Sequence, residues 1–199
     1  MKIGIDIDEV LADFVNPFLD YYNWGYETSF CREQIISYNF WEVLPTAKEE
    51  TYHLVRDFHN TDSFKNLPLI DGSQEAVSRL EQDHNLFVIT SRSYSLVGKA
   101  TEDWLEQHFP QKFSQVYFTG SWSDQPDKSK HQLCSELGLD LMIEDNLDYA
   151  KKCSQVTQVY LMDCPWNQGN HLPERIIRVK NWPEIMQSIK NLSRPELRP

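Results

Sequence analysis

Positive charge is scarce in this 199-residue chain: 19 Lys and Arg stand against 30 Asp and Glu, a formal balance of −11. The longest basic run is Lys151-Lys152. Proteins that grip nucleic acid or an anionic membrane need clustered Lys and Arg to displace counterions, so neither a nucleic-acid polymer nor a lipid surface is an expected partner. Long hydrophobic runs are missing too. No apolar stretch approaches the roughly 20 residues that span a bilayer, and the start MKIGIDIDEV, interrupted by Asp6 and Asp8, does not read as a secretory signal. Cys31, Cys134, Cys153 and Cys164 lie far apart with no C-x-x-C, which disfavours a zinc knuckle or a redox pair. They are expected to be reduced thiols in a cytoplasmic protein. The six histidines show neither H-x-x-H nor H-E-x-x-H spacing, and there is no internal repeat or low-complexity tract.

What is present suits one globular domain, or one domain with a large insertion. Of the 25 aromatic residues, 13 fall between Phe14 and Phe64. That stretch reads as helical pieces: one opened by Asn16-Pro17, one over Cys31 to Ser37, and one over Pro45 to Phe58, where Leu54, Val55 and Phe58 recur at helical spacing. After Asp71-Gly72 the texture becomes a regular alternation. Ser73 is a plausible N-cap for a helix to about Gln82, and further helices are expected near Leu96–His108, Ser129–Leu137 and after Asp145. Between them lie short apolar runs, and with Lys2–Ile7 the strands expected are Asn85–Thr90, Val116–Phe118, Leu139–Ile143 and Val156–Met162. Five nearly continuous apolar strands separated by helices predict an α/β fold with a five-stranded parallel sheet covered on both faces. The Pro/Arg-rich tail after Leu192 is expected to fray.

Ligands of open α/β sheets collect beyond the carboxyl ends of the strands. Three of the five runs end in loaded groups: Asp6-Ile7-Asp8, Thr90-Ser91-Arg92 and Glu144-Asp145. Four carboxylates at one sheet edge repel one another unless a cation neutralises them, and a hard divalent ion with oxygen ligands, Mg²⁺ above all, answers that need. At the end of the first strand, Asp6 and Asp8 at i and i+2 are expected to point to the same side, so both can face one substrate. One carboxylate can then attack phosphorus while the other moves a proton. Thr90 and Ser91 offer donors to a phosphoryl group, and a Lys at the start of the helix before Leu139 adds positive charge.

I-G-I-D-I-D-E-V (3–10), F-V-I-T-S-R (87–92), the Lys of K-S-K-H-Q-L-C (128–134) and L-M-I-E-D-N (141–146) together resemble the motifs of haloacid dehalogenase-like phosphohydrolases, in that family's order. D-x-D-E-V-L-A-D at 6–13, N-L-P-L-I-D-G at 66–72 and T-S at 90–91 are most similar to its 5′(3′)-deoxyribonucleotidase group. The resemblance implies a Rossmann-like core over 1–13 and 71–192, a helical cap inserted after the first strand over 14–70, and a tail at 193–199. It implies Asp6 as the nucleophile that becomes an aspartyl-phosphate and Asp8 as general acid/base. It further implies Mg²⁺ held by the Asp6 carboxylate, the Asp8 backbone carbonyl and the Asp145 carboxylate, with Glu144 behind them and the phosphate on Thr90 and Ser91. Both Lys128 and Lys130 fall in the window of the family's lysine. Lys130 is favoured because it stands three residues before the apolar Leu133.

Phe40 and Trp41 are the candidates for stacking on a base, among aromatics that otherwise pack the cap. Arg92 either touches substrate or pairs with a carboxylate. The expected activity is hydrolysis of a small phosphate ester, a (deoxy)nucleoside 5′-monophosphate first. A sugar phosphate, or phosphate and Mg²⁺ binding without turnover, are the competing readings. A homodimer follows by family analogy alone.

Overall fold

The computed structural model describes residues 1–120, 128–169 and 171–192. The expected frayed tail at 193–199 lies outside the described residues. Chain order is β1 (Lys2–Ile5), α1 (Val15–Tyr26), α2 (Lys48–Phe58), α3 (Asp62–Lys65), α4 (Ser73–Leu80), β2 (Asn85–Thr90), α5 (Tyr94–His108), β3 (Gln115–Phe118), α6 (Lys130–Leu137), β4 (Leu141–Glu144), α7 (Leu147–Cys153), β5 (Gln158–Met162), β6 (Ile176–Val179) and α8 (Trp182–Leu192). Single 3₁₀ turns occur at Arg32–Gln34, Phe40–Glu42 and Pro165–Asn167.

The strands form one parallel sheet in the order β3-β2-β1-β4-β5-β6. The sheet therefore has six strands, where the apolar runs predict five. Ile176–Val179 escapes the reading because this short edge strand buries only its two ends: Ile176 and Val179 are buried, while Ile177 is exposed and Arg178 is half-buried. Alternation across the inner strands builds two cores. Ile3, Ile5, Val88, Leu141, Ile143 and Tyr160 meet buried residues of α4, α5 and α8 on one face. Phe87, Ile89, Met142, Val159 and Leu161 meet Leu133, Cys134, Ala150 and Cys153 of α6 and α7 on the other.

Three local expectations need correction. β1 stops at Ile5, because the Ile7 carbonyl accepts from the amides of Val10, Leu11 and Ala12 at 3.2, 2.8 and 2.9 Å and turns the chain out of the sheet. The expected helix from Cys31 to Ser37 is one 3₁₀ turn, since the Gln34 side chain reaches back to the Cys31 amide at 2.9 Å and closes the turn on itself. Gly72, at φ +80°, rather than Ser73 takes the N-cap of α4, in the left-handed region that suits glycine. Between β1 and α4 lie α1, α2 and α3, whose buried Phe18, Phe58 and Phe64 are continuous with the first of the two cores. No helix among the described residues is long and apolar enough to cross a membrane. All four cysteines are free thiols.

Candidate active site

β1 lies between β2 and β4, so whatever follows Ile5 emerges at the centre of the sheet edge. One step beyond the Ile5–Ile143 pair, the Asp6 amide donates to the Ile143 carbonyl at 3.0 Å. That register sets Asp6 beside Glu144 and Asp145 at the end of β4. Carboxylate oxygens of these three buried residues lie within 4.8 Å of one another. A buried cation meets them: Lys130 Nζ, on the first turn of α6, is 2.6 Å from Asp6 Oδ2 and 2.8 Å from Glu144 Oε2. Ser129 caps that helix through a capping box with Gln132, which fixes where the lysine starts. Lys128 is at the surface with Glu136, so of the two lysines only Lys130 stands in this cluster.

Burial dominates the electrostatics. It pushes Asp6 up to about 8, with Lys130 opposing and Glu144 and Asp8 adding to the rise. It likewise pushes Asp145 up to about 7, aided by Asp6. Burial works against the Lys130 charge too, but Asp6 and Glu144 outweigh it and hold the lysine well above its usual value. One lysine among three buried carboxylates leaves an excess of negative charge, and three hard oxygen donors so close suit Mg²⁺. The donor set fits the ion, with Glu144 in the cluster alongside Asp6 and Asp145.

Asp8 is delivered by the turn rather than by the two-residue strand period, because the strand has already ended. Its carboxylate is gripped by Arg92, with Nε to Oδ2 at 3.1 Å and Nη2 to Oδ1 at 2.6 Å. Arg92 is itself buried, bonded through Nη1 to Thr101 and lying 4.8 Å over the Phe64 ring. Of its two sequence readings, pairing with a carboxylate is the contact present. Thr90 is fully buried at the end of β2, its hydroxyl oxygen accepting from the Arg92 amide at 3.1 Å. Ser91 faces the open space beyond. Gly120 is required there: a Cβ at this position would lie 1.9 Å from the Ser91 carbonyl oxygen.

That open space is a cavity of ≈ 430 Å³ between the sheet edge and the inserted helices. Asp8, Ser91, Arg92 and Asp145 line it, while Asp6, Thr90, Lys130 and Glu144 do not reach its lining. Phe40 and Trp41 line the opposite side. Phe40 packs 4.6 Å from Phe18, and Trp41 packs 5.1 Å from Tyr52 with Lys48 Nζ 4.8 Å over its ring.

Several residues here were not singled out from sequence. Tyr38 is 47% exposed overall, yet its hydroxyl end is enclosed near Asp145, Lys130 and Asp6, and that burial raises it well above the usual phenol value. Tyr38 also lines the cavity. His59 lines the wall beside Phe14 and Phe64. Trp166 donates from Nε1 to Asp145 Oδ2 at 2.8 Å. None of the three belongs to a spacing motif; only the folded chain brings them to the site.

A family model described as "5′ nucleotidase, deoxy (Pyrimidine), cytosolic type C protein" matches residues 1–194. Among curated proteins, the chain is 29% identical over 190 residues to the 5′(3′)-deoxyribonucleotidase of Bacillus subtilis, covering 94% of this chain and 97% of that one. It is 25% identical over 193 residues to a nucleotidase of Clostridium acetobutylicum, covering 96% and 95%. Among solved structures, a haloacid dehalogenase-like hydrolase of Streptococcus pneumoniae superposes with a TM-score of 0.67 at 17% identity, covering 94% of this chain and 97% of that one. A parallel α/β sheet, with the Asp6, Lys130, Glu144 and Asp145 cluster at its central edge and a sequence match over almost its whole length, makes this chain a member of the cytosolic type C 5′-deoxynucleotidase family, phosphomonoester hydrolases of haloacid dehalogenase-like fold.

Proposed function

We propose that the protein hydrolyses a (deoxy)nucleoside 5′-monophosphate with Mg²⁺ through an aspartyl-phosphate on Asp6. The observation that carries this reading is the buried Asp6–Lys130–Glu144 arrangement, with Asp145 in the same cluster, beside a cavity lined by Asp8 and aromatic rings. A volume near 430 Å³ suits a small ligand. Phe40 and Trp41 supply flat apolar surface for a base, and the inserted helices of residues 14–70 act as the cap that carries them. The match to the 5′(3′)-deoxyribonucleotidase of Bacillus subtilis supports the nucleotide over a sugar phosphate.

The Asp6 and Asp145 carboxylates, with the Asp8 backbone carbonyl, would hold Mg²⁺, and Glu144, whose Oε2 lies 2.8 Å from Lys130 Nζ and whose Oε1 accepts from the Asn146 amide at 3.1 Å, stands behind them. When bound, the ion supplies positive charge that offsets these carboxylates and the phosphoryl oxygens. A haloacid dehalogenase-like hydrolase of Bacillus subtilis with the same fold, TM-score 0.60 at 13% identity, was solved bound to magnesium. An Asp6 carboxylate oxygen attacks phosphorus, the bond from phosphorus to the ester oxygen breaks, and Asp8 protonates the departing alkoxide. Water then attacks the phosphorus of the acyl phosphate while Asp8 takes its proton, releasing inorganic phosphate and restoring Asp6. Lys130 opposes the burial that raises Asp6 and so favours its ionised form, it draws the phosphoryl oxygens, and Thr90 and Ser91 hold the group from the β2 side. Both Asp8 oxygens lie on Arg92, so serving as acid requires Asp8 to release at least one of them when substrate enters. In that role Arg92 orients the acid/base beside the leaving group.

Phosphate release from a panel of deoxynucleoside monophosphates and sugar phosphates, with Mg²⁺ or with EDTA, tests the proposal. Mg²⁺-dependent release fastest from the nucleotides is expected. Faster release from sugar phosphates overturns the substrate, and undiminished release in EDTA overturns the metal requirement.

A further inference from the structure

The 3₁₀ turn Pro165–Asn167, just after β5, holds Asp145 by both its backbone and its side chain. Asn167 Nδ2 donates to the Asp145 carbonyl at 2.6 Å and to the Met162 carbonyl at 2.7 Å. Trp166 Nε1 donates to Asp145 Oδ2 at 2.8 Å. The outer face of that indole is covered by a residue of the insertion: Arg32 Cζ lies 4.7 Å from the ring centroid. The same guanidinium touches Cys164 Sγ at 3.4 Å and forms an ion pair with Glu9. Glu9 is no ordinary partner. It is 3% exposed and sits at φ +60°, in the left-handed region that side chains other than glycine seldom adopt. Its other oxygen accepts from the amides of Phe14 and Val15 at 2.9 and 2.8 Å, capping the start of α1. An unbroken set of contacts thus runs from the entry of the insertion through Glu9, Arg32 and Trp166 to the carboxylate of Asp145.

We propose that Trp166 and Arg32 are positioning residues for Asp145: the indole N–H fixes the carboxylate, and Arg32, stacked on the indole and paired with Glu9, makes that orientation depend on docking of the inserted segment. The inference rests on the reading of Asp145 as a Mg²⁺ ligand. Partners that orient a ligating carboxylate commonly set metal affinity by about ten- to hundred-fold. A half-buried tryptophan has water available to it, so donation to this carboxylate ties up a group that the cation needs held still.

The test is the Mg²⁺ concentration giving half of the maximal thermal shift, read together with the melting temperature of the metal-free protein. In Trp166→Phe, which keeps a ring under Arg32 but removes the donor, half-saturation moves up by about ten-fold or more. Trp166→His, which retains a ring N–H, recovers part of the loss. Arg32→Lys keeps a charge for Glu9 and gives up the planar face on the indole, so half-saturation rises by less. Added to Trp166→Phe, Arg32→Lys has no further effect. Half-saturation in Trp166→Phe equal to that of the wild type overturns the positioning role. An undiminished Arg32→Lys effect in the double variant overturns the link to the insertion. A wild type that shows no Mg²⁺ shift at all overturns the metal reading itself, and the inference with it.

Discussion

His59 stands in the aromatic wall of the cavity with its Nδ1 buried and without a hydrogen-bond partner among the described residues. Burial, reinforced by the positive charge of Arg92, pushes it down to about 4 from an ordinary 6.5. The imidazole is therefore neutral in the folded protein while the unfolded chain takes up a proton below about pH 6.5. The unfolded state binds more protons in that window, so the stability present above pH 6.5 is lost as pH falls toward 4, by on the order of 3 kcal/mol. His59→Gln removes this dependence: urea midpoints measured at pH 7.5 and pH 5 are expected to differ less in the variant than in the wild type, and an equally steep loss contradicts the assignment. Legibility at this scale follows the same physics. Asp6, Glu144 and Asp145 announce themselves because charged residues ending apolar runs are costly without a purpose. Lys130 is distinguishable from Lys128 only by its place ahead of Leu133. His59, Tyr38 and Trp166 carry no such mark, since their roles come from Arg92, Asp145 and Asp145 again, 33, 107 and 21 residues away in sequence.

Among the elements, α1 and α2 depend on one aromatic cluster. Phe58, fully buried near the end of α2, lies 5.4 Å from Phe14, 5.7 Å from Phe18 and 6.0 Å from Phe64. Truncating it empties the centre of that cluster. Phe58→Ala is expected to cost about 3–5 kcal/mol, seen as a lower urea midpoint; a loss under about 1 kcal/mol would show that the inserted helices contribute little to folding. The α/β alternation was readable because inner parallel strands are apolar on both faces, as in Leu86–Ile89 and Leu141–Ile143. β6 was not, because its four-residue run I-I-R-V is short, is interrupted by Arg178 and leaves Ile177 exposed. The Cys31–Ser37 segment misled in the opposite sense: Ile35 is buried, but Ile36 is exposed and the backbone leaves the helical region at Ile35. A composition that tolerates a helix is overridden there by how the segment docks.

For the molecule as a whole, acidity and anion binding are compatible because charge is distributed by depth. Residues 1–62 carry 12 acidic and 4 basic side chains, a balance of −8, and part of that excess is the Asp6, Asp8 and Glu9 turn. Each of these three carboxylates meets a cation within the fold: Lys130, Arg92 and Arg32. A surface that repels polyanions thus surrounds a site whose acids meet fixed cations, where Mg²⁺, in the proposed mechanism, would add the charge that attracts a small phosphate ester. Nucleophilic attack by the Asp6 carboxylate is tested most directly by kcat for hydrolysis of a deoxynucleoside monophosphate by Asp6→Asn, beside wild type at saturating Mg²⁺. An amide is a poor nucleophile, so a fall of about four orders of magnitude is expected with the fold intact by circular dichroism. Turnover by Asp6→Asn within a few-fold of wild type would contradict the aspartyl-phosphate mechanism outright.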